Sequence, residues 1–233
     1  MNSIIATVIT FAIALGFLRL MDFFAHRGWI EARLSRKLIH IGTGPIFVLC
    51  WLLFPDDPAS RWLAALVPFM IVLQFALVGL GVLKDEAAVQ AMSRTGDRRE
   101  ILRGPLYYGI VFVLLTLIYW KDSPVGMTAL MLMCGGDGLA DIVGRRVASP
   151  SIPWSRQKSV AGSVSVFLGG WLMTALILFI YVSAGIFTKS FSGYLLPITI
   201  IAVVGALVES LPFKDVDNIT VTLAAIIAGI FVF

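Results

Sequence analysis

Two aspartates, Asp137 and Asp141, and a double arginine, Arg145-Arg146, stand in the run Gly135-Gly136-Asp137-Gly138-Leu139-Ala140-Asp141-Ile142-Val143-Gly144-Arg145-Arg146. On a helix, positions 137, 141 and 145 lie one turn apart on one face. Two like charges so placed repel each other unless a cation lies between them. A hard cation such as Mg²⁺ is typically held by one or two carboxylates together with substrate phosphates. Gly136 and Gly138 would let a phosphate-bearing ligand approach the main chain closely. The plainer alternative is that the two acids pair with Arg145 and Arg146 to neutralise a buried helix end.

Four further segments offer matching chemistry. In Trp154-Ser155-Arg156-Gln157-Lys158-Ser159-Val160-Ala161-Gly162-Ser163, Lys158, Ser159, Gly162 and Ser163 stand at an expected helix start, where unpaired N–H groups and the helix dipole favour phosphate. The glycine spacing before Lys158 is not that of a Walker A loop, and ordinary charge anchoring is the competing account. Lys37 and His40 are expected to open the second helix, where His40 is either a phosphate contact, an acid or base, or a capping and packing residue. Glu209 falls near the inner end of the seventh helix. Asp215 after it reads as a solvated loop charge, while Asp217 and Asn218 are placed to cap the last helix. Arg94, Arg98, Arg99 and Arg103 in the third loop suit a lipid headgroup as well as a substrate phosphate.

The elements that must position these residues are set by hydropathy. Of 233 residues, 59% are hydrophobic and only 14% charged, and the mean hydropathy is +0.94, which excludes a soluble domain. Runs long enough to cross a bilayer fall at 3–20, 38–54, 62–83, 105–120, 124–144, 159–183, 194–211 and 218–233. The expected fold is an all-α polytopic membrane protein of about eight helices, with seven to nine admissible, forming a single domain over 1–233. Its site segments are 36–44, 94–108, 135–163 and 207–218. The first run lacks a cleavage signal and is expected to remain as a helix.

The net charge of +4 does not imply nucleic acid, because the cations sit in short loops rather than along one face. Fourteen Lys and Arg occupy the odd-numbered loops and three the even-numbered ones. By the positive-inside rule the odd loops, and all four polar clusters, face the cytoplasm and both termini lie outside. Trp51, Trp62, Tyr119, Trp120 and Tyr194 at run ends suggest an interfacial aromatic belt. Cys50 and Cys134 lie within apolar runs without metal-ligand spacing, which argues against a disulfide framework or a zinc site.

At these residues the chain resembles the polyprenol and phytol kinases. That group includes dolichol kinase and the CTP-dependent diacylglycerol kinases and is related to phosphatidate cytidylyltransferases. The likeness, strongest to phytol kinases, is carried by Arg36-Lys37-Leu38-Ile39-His40-Ile41-Gly42, the segment 136–146, Lys158-Ser159-Val160-Ala161-Gly162-Ser163, and Leu207-Val208-Glu209-Ser210-Leu211-Pro212 with Asp217-Asn218. Ala148, the single Asp217 and Thr222 depart from the usual phytol kinase pattern. The resemblance implies phosphoryl transfer from a nucleoside triphosphate, CTP foremost, to the hydroxyl of a lipid alcohol. Mg²⁺ on Asp137 and Asp141, with Lys158, Arg145 and Arg146, would neutralise the charge of the transferring group. Lys37, Gly136, Gly138, Ser159, Gly162, Ser163 and Asn218 would join the nucleotide contacts. Glu209, Asp141 and His40 are the candidates for the base. Alternative readings are a diacylglycerol kinase or a cytidylyltransferase and, outside enzymes, a small transporter. Against the transporter, the acids lie at one face and no inverted repeat is visible.

Overall fold

A main chain in lipid has to satisfy its own hydrogen bonds, and helices do so within one segment. The computed structural model describes residues 1–213 and 216–233 and is all-α apart from one short hairpin. Lys214 and Asp215, read from the sequence as a loop cation and a solvated loop charge, lie outside the described residues. Among the described residues seven helices are long and apolar enough to cross a membrane, and the eighth expected run forms a shorter helix of 16 residues. The chain packs as two compact units, Met1–Leu117 and Ile118–Phe233.

The first unit holds α1 (Ser3–His26), α2 (Ala32–Cys50), α3 (Ser60–Leu80), α4 (Glu86–Met92) and α5 (Gly104–Ile118, whose last residue belongs to the second unit). Asn2 caps α1 by accepting the Ile4 N–H. Asp57 ties the starts of α1 and α3 together, accepting from the Ser3 hydroxyl at 2.6 Å and from the Ser60 N–H at 2.8 Å. These bonds, the Ser3 hydroxyl first, hold the Asp57 carboxyl below its ordinary range.

Both α1 and α2 extend beyond the apolar runs, because hydropathy marks where lipid begins and not where helical hydrogen bonding stops. Lys37 and His40 therefore lie inside α2 and do not open it. The third loop is also folded, as α4 and a 3₁₀ segment, Arg98–Leu102, whose Ile101 is buried with Phe75 and Val78 of α3. The guanidinium of Arg36 donates to the Ser93 carbonyl at 2.6 Å and joins α2 to this loop.

The second unit is built around one interrupted helix. α6 (Pro124–Met131) passes through a π turn, Leu132–Asp137, into α7 (Gly138–Arg146). A hairpin, β1 (Ser151–Ile152) with β2 (Ser155–Ser159), leads into α8 (Val160–Ser183), followed by α9 (Ser192–Glu209) and α10 (Asp217–Val232). α8, α9 and α10 pack against the interrupted helix and α8 and α10 against α9, leaving 78% of its most apolar stretch buried. Close approach depends on glycine. A Cβ on Gly169 would stand 2.7 Å from the Gly135 carbonyl oxygen, and one on Gly170 or Gly205 would collide with Leu132.

The expected aromatic belt is corrected at three positions. Trp51, Trp120 and Tyr194 are buried in the protein, whereas Trp62 is exposed. A pattern of residue types cannot tell a ring facing lipid from one facing another helix.

Candidate functional site

Asp137 closes the π turn and Asp141 follows one turn later in α7. A π turn widens the helix and offsets its register, and such turns recur at functional positions. Here it lies directly before the two carboxylates. Asp141 accepts from the Arg145 Nε–H at 2.8 Å. Arg145 is largely exposed, so this pair contributes well under about 1 kcal/mol. The pairing alternative thus holds for Asp141 and Arg145. Arg146 is exposed.

The hairpin turns at Pro153-Trp154, with Ile152 and Ser155 buried beneath it. Trp154 donates its indole N–H to Ser210 Oγ at 3.1 Å. From β2, the Lys158 ammonium meets Glu209 Oε1 at 3.1 Å and Asp217 Oδ1 at 3.4 Å and also donates to the Glu209 carbonyl. Lys158 thereby joins the end of α9 to the start of α10. Asp137 and Asp217 both lie within electrostatic reach of Glu209, whose side chain is only 9% exposed. Asp137, Lys158, Glu209 and Asp217 therefore form one charged cluster at the polar ends of four segments. Asp217 does not cap α10: the cap position is Val216, without a side-chain bond. The Asn218 carbonyl accepts from the Thr222 hydroxyl at 2.6 Å.

The start of α8 differs from a ready anion site. Its N–H groups at Val160, Ala161 and Gly162 are taken by the Pro150 carbonyl, Ser149 Oγ and Ser159 Oγ, at 3.0, 3.0 and 3.2 Å. Phosphate contact here would fall to side chains. Ser163 Oγ is buried and, among the described residues, has no hydrogen-bond partner. Gly136 has a visible packing use, since a Cβ there would press on Val166; one on Gly162 would stand 3.3 Å from Ser159 Oγ. Gly138 is buried as well.

In the first unit His40 packs at a tilt against Tyr108, ring centroids 4.5 Å apart, and the Tyr108 hydroxyl donates to the His40 carbonyl at 2.7 Å. Lys37 is half-buried, whereas Arg94, Arg98, Arg99 and Arg103 are exposed. Glu100 accepts from the main-chain N–H groups of Arg94 and Thr95, and Asp97 from that of Arg99. Sequence reasoning missed Tyr108, which has no distinguishing mark inside an apolar run, and the π turn, for which the paired glycines before Asp137 were the available signal.

Among the described residues no group of three or more His, Cys, Asp or Glu is gathered as a complete metal site. Two carboxylates a turn apart suit an ion that draws its remaining ligands from phosphate and water.

The chain is 42% identical over 233 residues to a probable phytol kinase 3 of Glycine max, covering 98% of this chain and 72% of that protein. It is 38% identical over 238 residues to the farnesol kinase of Arabidopsis thaliana, covering all of this chain and 77% of the relative. The chain belongs to the phytol kinase family. Phytol kinase 1 of Arabidopsis thaliana adds 38% identity over 205 residues, 87% of this chain and 67% of its own length. No family model and no solved structure matches. As a member of the phytol kinase family the protein is a phosphotransferase with a lipid alcohol as acceptor, and its apolar helices make it a multi-pass membrane protein.

Proposed function

We propose that the enzyme transfers the terminal phosphoryl group of a nucleoside triphosphate, CTP foremost, to the hydroxyl of an isoprenoid alcohol of the phytol or farnesol kind. The observation that carries this reading is the charged cluster of Asp137, Lys158, Glu209 and Asp217 beside Asp141, in a chain related over nearly its whole length to phytol and farnesol kinases. In the reaction a bond forms between the alcohol oxygen and phosphorus, the bond to the leaving nucleoside diphosphate breaks, and the hydroxyl proton passes to a base.

Asp137 and Asp141 are the residues that would hold Mg²⁺, which supplies charge neutralisation on the phosphates. Arg145 and Arg146, both exposed, would bind phosphate oxygens, and Lys158 fixes Glu209 and Asp217 while offering its own charge. Lys37, Ser159, Ser163, Gly136, Gly138 and Asn218 would complete the nucleotide contacts, Ser163 through its unpartnered hydroxyl, while Gly162, whose N–H is taken by Ser159 Oγ, serves by its lack of a side chain. Glu209, Asp141 and His40 are the candidates for the base, in that order. The excess of loop cations supports a cytoplasmic face for this chemistry.

Purified protein in detergent, given Mg²⁺, each of four nucleoside triphosphates and a panel of phytol, farnesol, longer polyprenols and diacylglycerol, is expected to form an isoprenoid monophosphate with CTP, read by mass spectrometry. A product bearing CMP with release of pyrophosphate, or transfer to diacylglycerol alone, would overturn the proposal.

A further inference from the structure

The hairpin between α7 and α8 lies outside the spans Pro124–Arg146 and Val160–Ser183. Its ladder is irregular. Ile152 pairs with Ser155 and Ser151 with Ser159, so Arg156, Gln157 and Lys158 bulge out of β2 opposite no residue of β1. A bulge re-aims side chains, and bulges recur beside active sites. This one sends Lys158 to the carboxylate and carbonyl of Glu209 and to Asp217.

The tip of the hairpin is fastened to the same helix end. Trp154 donates its indole N–H to Ser210 Oγ at 3.1 Å, and the Ser210 hydroxyl donates in turn to the Leu207 carbonyl at 2.6 Å. Glu209 and Ser210, successive residues at the end of α9, thus hold the hairpin at Lys158 and at Trp154. The buried Ile152 and Ser155 flank the tip. The indole is nonetheless 58% exposed, and among the described residues no other ring packs on it. A tryptophan of an interfacial belt keeps its N–H for water or headgroups. Here the donor is taken by the protein, which fixes the ring and leaves most of it open. Arg156, two residues on, is exposed, and among the described residues no hydrogen bond or ion pair holds its guanidinium.

A fixed, open aromatic ring and a loose guanidinium, beside an ammonium within a charged cluster, match a ligand with a flat ring at one end and phosphates at the other. We infer that Trp154 is the stacking platform for the nucleobase of the nucleoside triphosphate, with Arg156 beside it for a phosphate. The inference rests on the function proposed above and adds to it a site for the base. Every base has a π face and stacks on an aromatic ring, so Trp154 contributes affinity and not the choice of nucleotide.

The test titrates full-length protein in detergent, by calorimetry, with CTP and with inorganic tripolyphosphate, which has the phosphates without the base, and measures steady-state transfer alongside. Trp154→Leu is expected to weaken CTP binding at least about fivefold and to leave tripolyphosphate affinity within about twofold. In transfer the loss should appear as a raised KM for CTP with kcat changed far less. Trp154→Phe, which keeps a ring, is expected to restore most of the affinity, and Arg156→Gln to weaken both ligands. Unchanged CTP affinity in Trp154→Leu, equal loss of CTP and tripolyphosphate, or a raised KM for the alcohol alone, the mark of an interfacial anchor, would overturn the inference. Should Trp154→Leu fail to fold, a CTP analogue with an azide on its base decides on the wild type: photolysis is expected to label residues 151–159, and labelling elsewhere would overturn the platform. Binding is read without transfer. CTP held through Trp154 by a protein that phosphorylates no alcohol would sink the proposed function alone, and transfer with a CTP affinity indifferent to Trp154 would sink the platform alone.

Discussion

The first helix and the interrupted helix Pro124–Arg146 are both long enough to cross a bilayer, and they differ in almost everything else. α1 has a mean hydropathy of 2.2 and only 17% of its most apolar stretch buried; the interrupted helix has 1.3 and 78%. Lipid is a permissive neighbour for α1, which needs apolar surface but no shape. The interrupted helix is surrounded by protein, so it exchanges bulk for glycine and can carry Asp137 and Asp141, whose cost at membrane depth is offset by partners and by polar surroundings. The difference teaches that the acids of this chain's most enclosed span are housed by protein rather than by lipid; low hydropathy alone does not mark such a span, since Arg33–Leu53 has the same value of 1.3 with only 33% buried.

That contrast can be broken in order of expected effect. Asp137→Asn and Asp141→Asn are each expected to lower phosphoryl transfer by at least about 10²-fold while the protein remains folded in detergent. Product mass spectrometry and gel filtration check this, and retained activity in both would remove the carboxylates from the site. Lys158→Met leaves Glu209 in a protein interior without its ammonium and is expected to cost about 3–5 kcal/mol, read as a lowered Tm. Adding Glu209→Gln should recover part of the loss. If Lys158 only binds nucleotide, Tm will not move.

Smaller effects should separate the two helix types directly. Gly169→Ala, at the contact with Gly135, is expected to destabilise by about 1–3 kcal/mol. Gly16→Ala in α1, where a Cβ meets nothing within 4 Å, should instead gain about 0.5–1 kcal/mol from helix propensity. Equal effects in thermal denaturation would erase the contrast. Least of all is the carboxylate that joins α1 to α3. Asp57 titrates below its ordinary range, so its stabilisation is present above that range and is lost as pH falls through the lowered value. Ser3→Ala should lower Tm at neutral pH, with the difference from wild type vanishing in acid; a constant difference would show that the Asp57 bond is not its source.

Much of this was legible in the residue string. Hydropathy alone marks the spans, and the acids of 137–141, Lys158 and Glu209 stand out because charge is rare in such a chain. What stayed hidden depended on partners distant in sequence. Ser159 looked like half of an anion site, yet its hydroxyl closes the start of its own helix. Gly136 looked like room for a ligand, and in the structure it gives room to Val166. Tyr108 had no mark of its own until α5 brought it against His40. The hairpin 151–159 is too short for a periodic signal to emerge.

By itself the sequence determined the membrane setting, the number of apolar runs and where the rare charged residues stand among them, since these follow from composition and local spacing. Only the tertiary structure decided that Lys158 is shared between Glu209 and Asp217, that the aspartates sit at a π turn, and which aromatic rings face protein. The physical reason is that charge pairing and close packing act between surfaces brought together from separate stretches of chain, and no local pattern specifies which surfaces will meet.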